Sequence, residues 1–199
     1  MYGLELSKLD GSEKTYKYKA LSLPATQTYA RWLNVKDQGA TSQCVPYSLS
    51  QVVELYYRMN NEKNPKMDIV ELYRGRQDPK KNGMSFKEAL LRMKKEGFFT
   101  SGSLRHIYDF CLLPSQQVMR EFLVANLPFV IGVPVADVQQ TAFWRGTPRQ
   151  GYHALTVTGY DDTGFEVLNS WGLTYGDNGF AHFPYEDCRF IKEAWGLLF

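Results

Sequence analysis

The sequence predicts an α+β fold in which a mostly helical first half is followed by a second half of antiparallel strands. Apolar residues recur at helical spacing as far as residue 123, and short apolar runs separated by turns follow from residue 128 onward. Helices followed by antiparallel strands are typical of α+β proteins. Because the two halves would form unlike lobes, we expect a cleft between them.

Four helices are predicted, and local signals mark where they begin. Asp68 is a plausible N-cap, and the run Ser85-Phe86-Lys87-Glu88 is a capping box. The predicted helices run from Cys44 to about Asn60, from Asp68 to Arg74, from Ser85 to Gly97, and onward from Pro114-Ser115.

The strands of the second half are short and apolar, and the run from Asp161 to Gly164 between two of them indicates a hairpin turn. The predicted strands are Pro128–Val135, His153–Tyr160, Phe165–Ser170, Gly179–Pro184 and Ala194–Phe199. Residues 1–30 have little pattern, and we expect them to form an extended arm on the body of the protein. The 199 residues then make one domain with this arm, a helical lobe (about 31–114) and a β lobe (about 115–199).

The composition narrows the possible partners and the compartment. A net charge of +2 is too small to indicate a nucleic acid or an anionic membrane as partner. Three cysteines without CxxC spacing favour a reducing compartment with free thiols or at most one disulfide. With neither an apolar leader nor an 18-residue apolar run, we expect a cytoplasmic protein, with a processed form of a longer precursor as the alternative.

Cys44 is predicted to lie at the N-terminus of a helix. Pro46 is tolerated only in the first turn, so the helix must begin close to Cys44. The positive end of the helix dipole favours a thiolate at this position. A buried structural cysteine is the alternative, since this is the commoner role of a lone thiol.

A nucleophilic cysteine needs a base and a group that orients the base. His153 enters an apolar strand from a glycine-containing loop, which would let it face the cleft, whereas His106 and His182 fit structural roles better. Antiparallel pairing across the Asp161–Gly164 turn would bring Asn169 back to the level of His153. The amide oxygen of Asn169 could then accept a hydrogen bond from the imidazole.

Together these motifs resemble the papain-like cysteine peptidases. The resemblance rests on Gln38-Gly39 followed by Cys44, on Gly151-Tyr152-His153-Ala154, and on Asn169-Ser170-Trp171-Gly172 with Gly179-Phe180. Thr41 stands where many secreted members have a second cysteine, so the chain looks like the short, disulfide-poor members from bacteria, archaea or phages. The resemblance implies a two-lobed fold with a helical N-terminal lobe, an antiparallel β-barrel-like C-terminal lobe and the active site in the cleft.

The resemblance also implies a role for each matching residue. Cys44 would be the nucleophile, His153 its acid–base partner and Asn169 the group that orients His153. The Gln38 side chain and the Cys44 backbone N–H would form the oxyanion hole. Trp171 would shield the bond between His153 and Asn169 and offer an apolar wall on the leaving-group side.

For substrate binding, the resemblance implies that Gly83 presents its backbone to an extended peptide. Met84, Tyr152 and Ala154 would border the pocket for the side chain second from the cut, with an apolar or aromatic preference. We therefore expect a cysteine endopeptidase that acts on a peptide or protein and needs no metal or cofactor. An acyl-transfer or amidase relative with the same residues, and a non-catalytic peptide-binding module, are the alternatives. The sequence does not indicate the oligomeric state.

Overall fold

The computed structural model describes residues 3–17, 22–125, 127–135 and 151–199. Residues 1–2 and 18–21 of the predicted arm therefore lie outside the described residues, as does Gln150 in the loop before His153. The described α-helices are α1 (Cys44–Met59), α2 (Ile69–Arg74), α3 (Phe86–Lys95) and α4 (Gln116–Ala125). The strands are β1 (Leu4–Glu5), β2 (Gln27–Thr28), β3 (Met84–Ser85), β4 (Phe98–Thr100), β5 (Ser103–Arg105), β6 (Asp109–Leu112), β7 (Phe129–Pro134), β8 (Tyr152–Tyr160), β9 (Gly164–Leu168), β10 (Phe180–Pro184) and β11 (Glu193–Leu198).

The predicted helix starts are confirmed, and one of the predicted caps differs in detail. The Asp68 carboxylate accepts the Glu71 N–H at 2.8 Å, and the Ser85 hydroxyl accepts the Glu88 N–H at 3.2 Å. The reciprocal half of the predicted capping box is absent, because the Glu88 carboxylate accepts the Gln77 N–H instead. Among the described helices, none is long and apolar enough to cross a membrane.

The main sheet has the strand order β10-β9-β8-β7-β11-β6, and it curls into a half-barrel. Its central strand, β8, pairs antiparallel with both β7 and β9, and every residue of β8 after Tyr152 is buried. The five strands predicted in the second half are all present, with ends that differ by one or two residues. The predicted α+β class is therefore confirmed.

Strand β6 was not predicted from the sequence. It lies in the first half of the chain and pairs antiparallel with β11, so the sheet draws on both halves. Asp109, the first residue of β6, forms ion pairs with Lys14 and with Lys94 at 2.9 Å. A four-residue strand carries too little periodicity to be recognised, and its place depends on these distant partners.

Helix α1 packs against β8, and buried polar side chains fix how the two elements meet. The Thr156 hydroxyl hydrogen-bonds the side chain of Gln51, and the Gln51 amide N–H donates to the Asn169 carbonyl oxygen at 3.4 Å. Both Gln51 and Thr156 are buried, so these bonds are shielded from water. They hold the N-terminal part of α1 close to the strand that carries His153.

Candidate active site

Cys44 is the first residue of α1, and its side chain is completely buried. Gln43 occupies the N-cap position without a side-chain capping bond. Burial raises the pKa of the Cys44 thiol to about 11, and the backbone amides of Ala154, Gly3 and Val45 oppose that rise. The sulfur is therefore close to the residue that follows His153 and also to the N-terminal arm.

His153 and Asn169 form a buried hydrogen-bonded pair. The Nε2 atom of His153 lies 2.7 Å from the Oδ1 atom of Asn169, and both side chains have zero exposure. The same Oδ1 atom accepts the Ser170 N–H at 2.7 Å, which fixes the orientation of the amide. Because Oδ1 can only accept, His153 carries its proton on Nε2 in this bond, and in the neutral ring Nδ1 is the nitrogen that bears no proton.

Trp171 covers this pair. The rings of His153 and Trp171 are 4.7 Å apart between centroids and are tilted by 32°. Tyr175 meets the indole in an edge-on arrangement, with the ring centroids 5.1 Å apart. The backbone of Trp171 bridges to Asp37, and the Gly172 N–H donates to the Lys36 carbonyl at 3.0 Å. These contacts bring the segment before Cys44 alongside the segment after Asn169.

Gln38 lies at this junction, and both ends of its side-chain amide are engaged. Its Oε1 atom accepts the Ser170 hydroxyl at 2.6 Å, and its Nε2 atom donates to the Thr41 carbonyl at 2.6 Å. The Thr41 hydroxyl in turn donates to the Gln38 carbonyl at 2.6 Å. An amide nitrogen has two hydrogens, so one N–H of Gln38 stays available to a ligand.

The N-terminal arm occupies the cleft. Strand β1 pairs in parallel with β3, with Leu4 opposite Met84, and antiparallel with β8, where Leu4 is opposite Tyr152. The Met84 N–H donates to the Gly3 carbonyl at 2.9 Å. A side chain at Gly3 would overlap the Ser42 carbonyl, since its Cβ would come within 2.0 Å of that oxygen. The arm therefore crosses the cleft directly beside Cys44.

The segment predicted to bind an extended peptide thus contacts an extended segment of the same chain. Gly83 has φ +133°, and a Cβ at this position would lie 2.7 Å from the Gly3 carbonyl oxygen. Glycine therefore allows the close approach, but the amide that bonds the arm belongs to Met84, because the Gly83 N–H donates to the Tyr73 hydroxyl at 3.2 Å. Met84 and Ala154 are buried, and Tyr152 is half-buried.

The protonation states differ from the thiolate that the helix dipole predicts. Burial lowers the pKa of His153 to about 4, and the hydrogen bond to Asn169 only partly offsets this effect. With the Cys44 pKa raised and the His153 pKa lowered, both groups are neutral at neutral pH. The physical reason is desolvation, which outweighs the helix dipole while the arm covers the thiol.

The other histidines and cysteines do not contribute to this site. The His106 Nδ1 atom lies 3.2 Å from the Lys94 carbonyl, and the His182 Nε2 atom lies 3.3 Å from the Thr163 hydroxyl. Cys111 is part of β6. All three cysteines, including Cys188, are free thiols.

Several residues that shape the site were not found from the sequence. Thr41 was noted only as a departure from the family pattern, yet it closes the loop that carries Gln38. Ser170 was quoted only as part of a motif, although it holds the Gln38 amide. Gln51 was missed because a polar residue within a predicted helix carries no signal for the strand that it will contact.

Comparisons with known proteins identify the fold. Xylellain, a cysteine protease from Xylella fastidiosa, superposes with a TM-score of 0.86 at 16% identity over 99% of this chain and 95% of its own. Procathepsin B from Trypanosoma congolense gives 0.84 at 15% identity over 99% and 85% of the two chains. Procathepsin L 3 from the larval midgut of Tenebrio molitor gives 0.81 at 16% identity over 96% and 75%.

The comparisons of the sequence identify no family. No protein-family model matches the chain, and no curated protein sequence matches it significantly. At about one residue in six identical, the structural neighbours show the fold alone. The chain therefore has the papain-like fold, as the resemblance in its motifs implies.

Proposed function

We propose that the protein is a cysteine-type peptidase that hydrolyses peptide bonds through a thioester acyl-enzyme. The observation that carries this proposal is the buried bond between His153 and Asn169, together with the backbone N–H of Ala154, the residue after His153, which reaches the thiol of Cys44 at the N-terminus of a helix. The structural neighbours named above are cysteine proteases with the same fold. Because a fold can host several chemistries, the proposal rests on the geometry of the site.

In the proposed reaction, His153 Nδ1 takes the proton of the Cys44 thiol, and the sulfur attacks the carbonyl carbon of the peptide. When the tetrahedral intermediate collapses, the C–N bond breaks, and His153 returns its proton to the leaving amine. Water, deprotonated by His153, then attacks the thioester carbon. The C–S bond breaks, His153 gives the proton to the sulfur, and the carboxylic acid leaves. Asn169 keeps the imidazole in the tautomer with the proton on Nε2 throughout.

Gln38 would supply the oxyanion hole together with the backbone N–H of Cys44. Ser170 and Thr41 hold its amide from both ends, which leaves one N–H of Nε2 for the substrate oxygen. Preorganised donors of this kind act without reorganisation during the reaction, and the loss of one typically costs about 100- to 1000-fold in rate.

The arm would restrain this activity in the full chain. Leu4 and Gly3 lie where the resemblance places the substrate, and Cys44 has no exposed surface beneath them. A substrate must therefore displace residues 3–7 before the thiol can react. Such displacement would also return water to the site and relieve the desolvation that keeps both groups neutral.

The occupied cleft also favours a second candidate, a non-catalytic peptide-binding module. The cleft already binds an extended segment through backbone pairing on two sides, which requires no chemistry. The two candidates make different predictions for the thiol. A binding module would keep its peptide affinity, and show no hydrolysis, whether residue 44 is cysteine or alanine.

The experiment compares the full chain with Cys44→Ala and with Cys111→Ala as the matched control. We expect the wild type and Cys111→Ala to digest unfolded casein and to release the same new N-termini, and Cys44→Ala to release none. Digestion by Cys44→Ala at the wild-type rate would contradict the proposal. Intact casein in all three reactions, together with saturable peptide binding, would favour the binding module.

A further inference from the structure

The side-chain amide of Asn169 has one end that the proposed reaction does not use. Its Oδ1 atom already has two donors, the Nε2 atom of His153 and the Ser170 N–H, each at 2.7 Å. A carbonyl oxygen has two lone pairs, so this end of the amide is fully occupied. The Nδ2 atom is also buried, and no acceptor in the described part of the chain meets full hydrogen-bond geometry with it. An acceptor for this amide would be valuable, because a buried donor without one is costly.

Tyr175 brings a phenol oxygen to this second end of the amide. Its side chain is buried, and its ring packs edge-on against Trp171. Burial raises the pKa of the Tyr175 hydroxyl to about 12, and a contact with the Asn169 side chain opposes that rise. A hydrogen bond donated to a phenol lowers its pKa, so the contact runs from the Nδ2–H of Asn169 to the phenol oxygen. It is looser than a full hydrogen bond, as the geometry around Nδ2 shows.

The backbone holds Tyr175 in this position. The loop after Trp171 returns to the strand end that carries Asn169, where the Gly179 N–H donates to the Tyr175 carbonyl at 2.7 Å and the Asn169 N–H donates to the Gly179 carbonyl at 3.0 Å. Gly179 has φ +92°, and a Cβ there would come within 2.4 Å of a methyl carbon of Val35. Glycine at this position therefore lets the loop close. Tyr175 and Asn169 are thus joined through the backbone of a single residue.

We propose that Tyr175 is a positioning residue, whose hydroxyl accepts an N–H of the Asn169 amide and so strengthens the hold of Asn169 on His153. An amide that donates through its nitrogen becomes a better acceptor at its oxygen, since linked hydrogen bonds polarise one another. When His153 takes the thiol proton, its bond to Asn169 becomes charge-assisted, and a better acceptor stabilises the imidazolium more. The effect on rate rests on the proposed peptidase function, but the contact between Tyr175 and Asn169 can be tested without any cleavage.

The kinetic test uses Tyr175→Phe in the full chain, which keeps the ring against Trp171 and removes only the hydroxyl. We expect kcat on a small peptide to fall by about 3- to 10-fold, the range for one hydrogen bond, and KM to stay within about twofold. KM should change little because Tyr175 and Asn169 meet beneath the surface of the cleft. The matched control is Tyr108→Phe, at a tyrosine that is 78% exposed. A wild-type kcat in Tyr175→Phe overturns the proposal.

A second comparison separates an action through Asn169 from a general effect on packing. Tyr175→Phe is also made in the Asn169→Ala background, where the amide is missing. If Tyr175 acts through that amide, the double variant has the kcat of Asn169→Ala alone. A further loss in the double variant, equal to the loss that Tyr175→Phe causes in the wild type, overturns the proposal, because the two side chains then act independently.

The contact itself is tested by NMR on the full chain with isotopically labelled asparagines, which needs no enzymatic activity. The side-chain amide of Asn169 is the pair of signals that Asn169→Ala removes. We expect one of its protons to move upfield in Tyr175→Phe, because it loses its acceptor, and both to stay in place in Tyr108→Phe. Asn169 signals that are the same in the wild type and in Tyr175→Phe overturn the proposal. If the wild-type chain cleaves no peptide, the peptidase function fails, and this measurement alone decides whether Tyr175 holds the amide.

Discussion

The Nε2 atom of His153 lies 2.7 Å from the Oδ1 atom of Asn169, and neither side chain is exposed to solvent. The bond fixes the tautomer of the imidazole and turns its other nitrogen away from the amide. In the proposed reaction that nitrogen takes the proton of the Cys44 thiol. The hydrogen bond from His153 to Asn169 therefore affects the reaction at Cys44 through the orientation of His153.

Asn169→Ala removes the partner that orients His153. We expect kcat to fall by about 10- to 100-fold with a small change in KM, because one buried hydrogen bond is lost and the imidazole can rotate. Steady-state kinetics on a small peptide would measure this, with Asn34→Ala as a control at an exposed asparagine. Wild-type kcat in Asn169→Ala would remove Asn169 from the proposed mechanism.

Ser170→Ala tests the orientation of Gln38. The Ser170 hydroxyl donates to Gln38 Oε1 at 2.6 Å, so its loss frees the amide to rotate. We expect kcat to fall by about tenfold, less than the roughly 100- to 1000-fold loss for Gln38→Ala, where the donor itself is removed. Ser103→Ala, at an exposed serine, should keep the wild-type rate. If Gln38→Ala loses less activity than Ser170→Ala, Gln38 is not the oxyanion donor.

Leu4→Glu tests whether the arm restrains access to Cys44. Burial of a leucine is worth about 1.5–3 kcal/mol, so its loss should increase the population of the open cleft by about 10- to 100-fold. We expect a matching increase in the rate at which iodoacetamide alkylates Cys44.

The control for the arm is Leu9→Glu, because Leu9 is also on the arm but is 53% exposed. This variant carries the same change in charge and should be alkylated at the wild-type rate. Deletion of residues 1–30 is a poorer test, since Gln27 and Thr28 pair with β8 and their loss would disturb the sheet. An alkylation rate in Leu4→Glu equal to that of the wild type would show that the arm does not limit access.

His153 should make the stability of the arm-closed protein depend on pH in a defined window. Its pKa is lowered from 6.5 to about 4 by burial, so between these values the unfolded chain binds a proton that the folded chain does not. Its contribution to the free energy of unfolding is therefore complete above pH 6.5 and decreases as the pH falls toward 4.

Urea unfolding of the wild type and of His153→Gln would measure this contribution. As the pH falls from 6.5 toward 4, we expect the free energy of unfolding of the wild type to decrease relative to that of His153→Gln. His106→Gln, at a histidine outside the site, should follow the wild type. A difference between wild type and His153→Gln that is constant over this range would contradict the lowered pKa.

Much of the fold could be predicted because its signals are local. Asp68 and Ser85 cap helices at the expected positions, and Pro46 restricts where α1 can begin. The strands from Phe129 onward are apolar runs bounded by turns. In contrast, β6 and β1 are short and are held by partners far away in sequence, such as Gly196 across from Cys111 and Tyr152 across from Leu4.

The candidate site also has features that the sequence predicts and features that depend on distant contacts. The order and spacing of Gln38, Cys44, His153 and Asn169 can be read from the sequence, and the structure places these residues around one end of α1. The position of the arm cannot be read in this way, because Gly3 and Leu4 carry no local signal for the cleft. Nor can the protonation state of Cys44, which depends on how completely the arm excludes water.

The most direct test of the proposed nucleophile is covalent labelling of the full chain with an irreversible epoxide inhibitor of cysteine peptidases at neutral pH. Peptide mapping by mass spectrometry would locate the modification. We expect it on Cys44, with Cys111 and Cys188 unmodified and with no label in His153→Gln, which cannot activate the thiol. Two results would contradict the assignment of Cys44 as an activated nucleophile. One is the absence of label at Cys44 in both the wild type and Leu4→Glu, and the other is equal labelling of the wild type and His153→Gln.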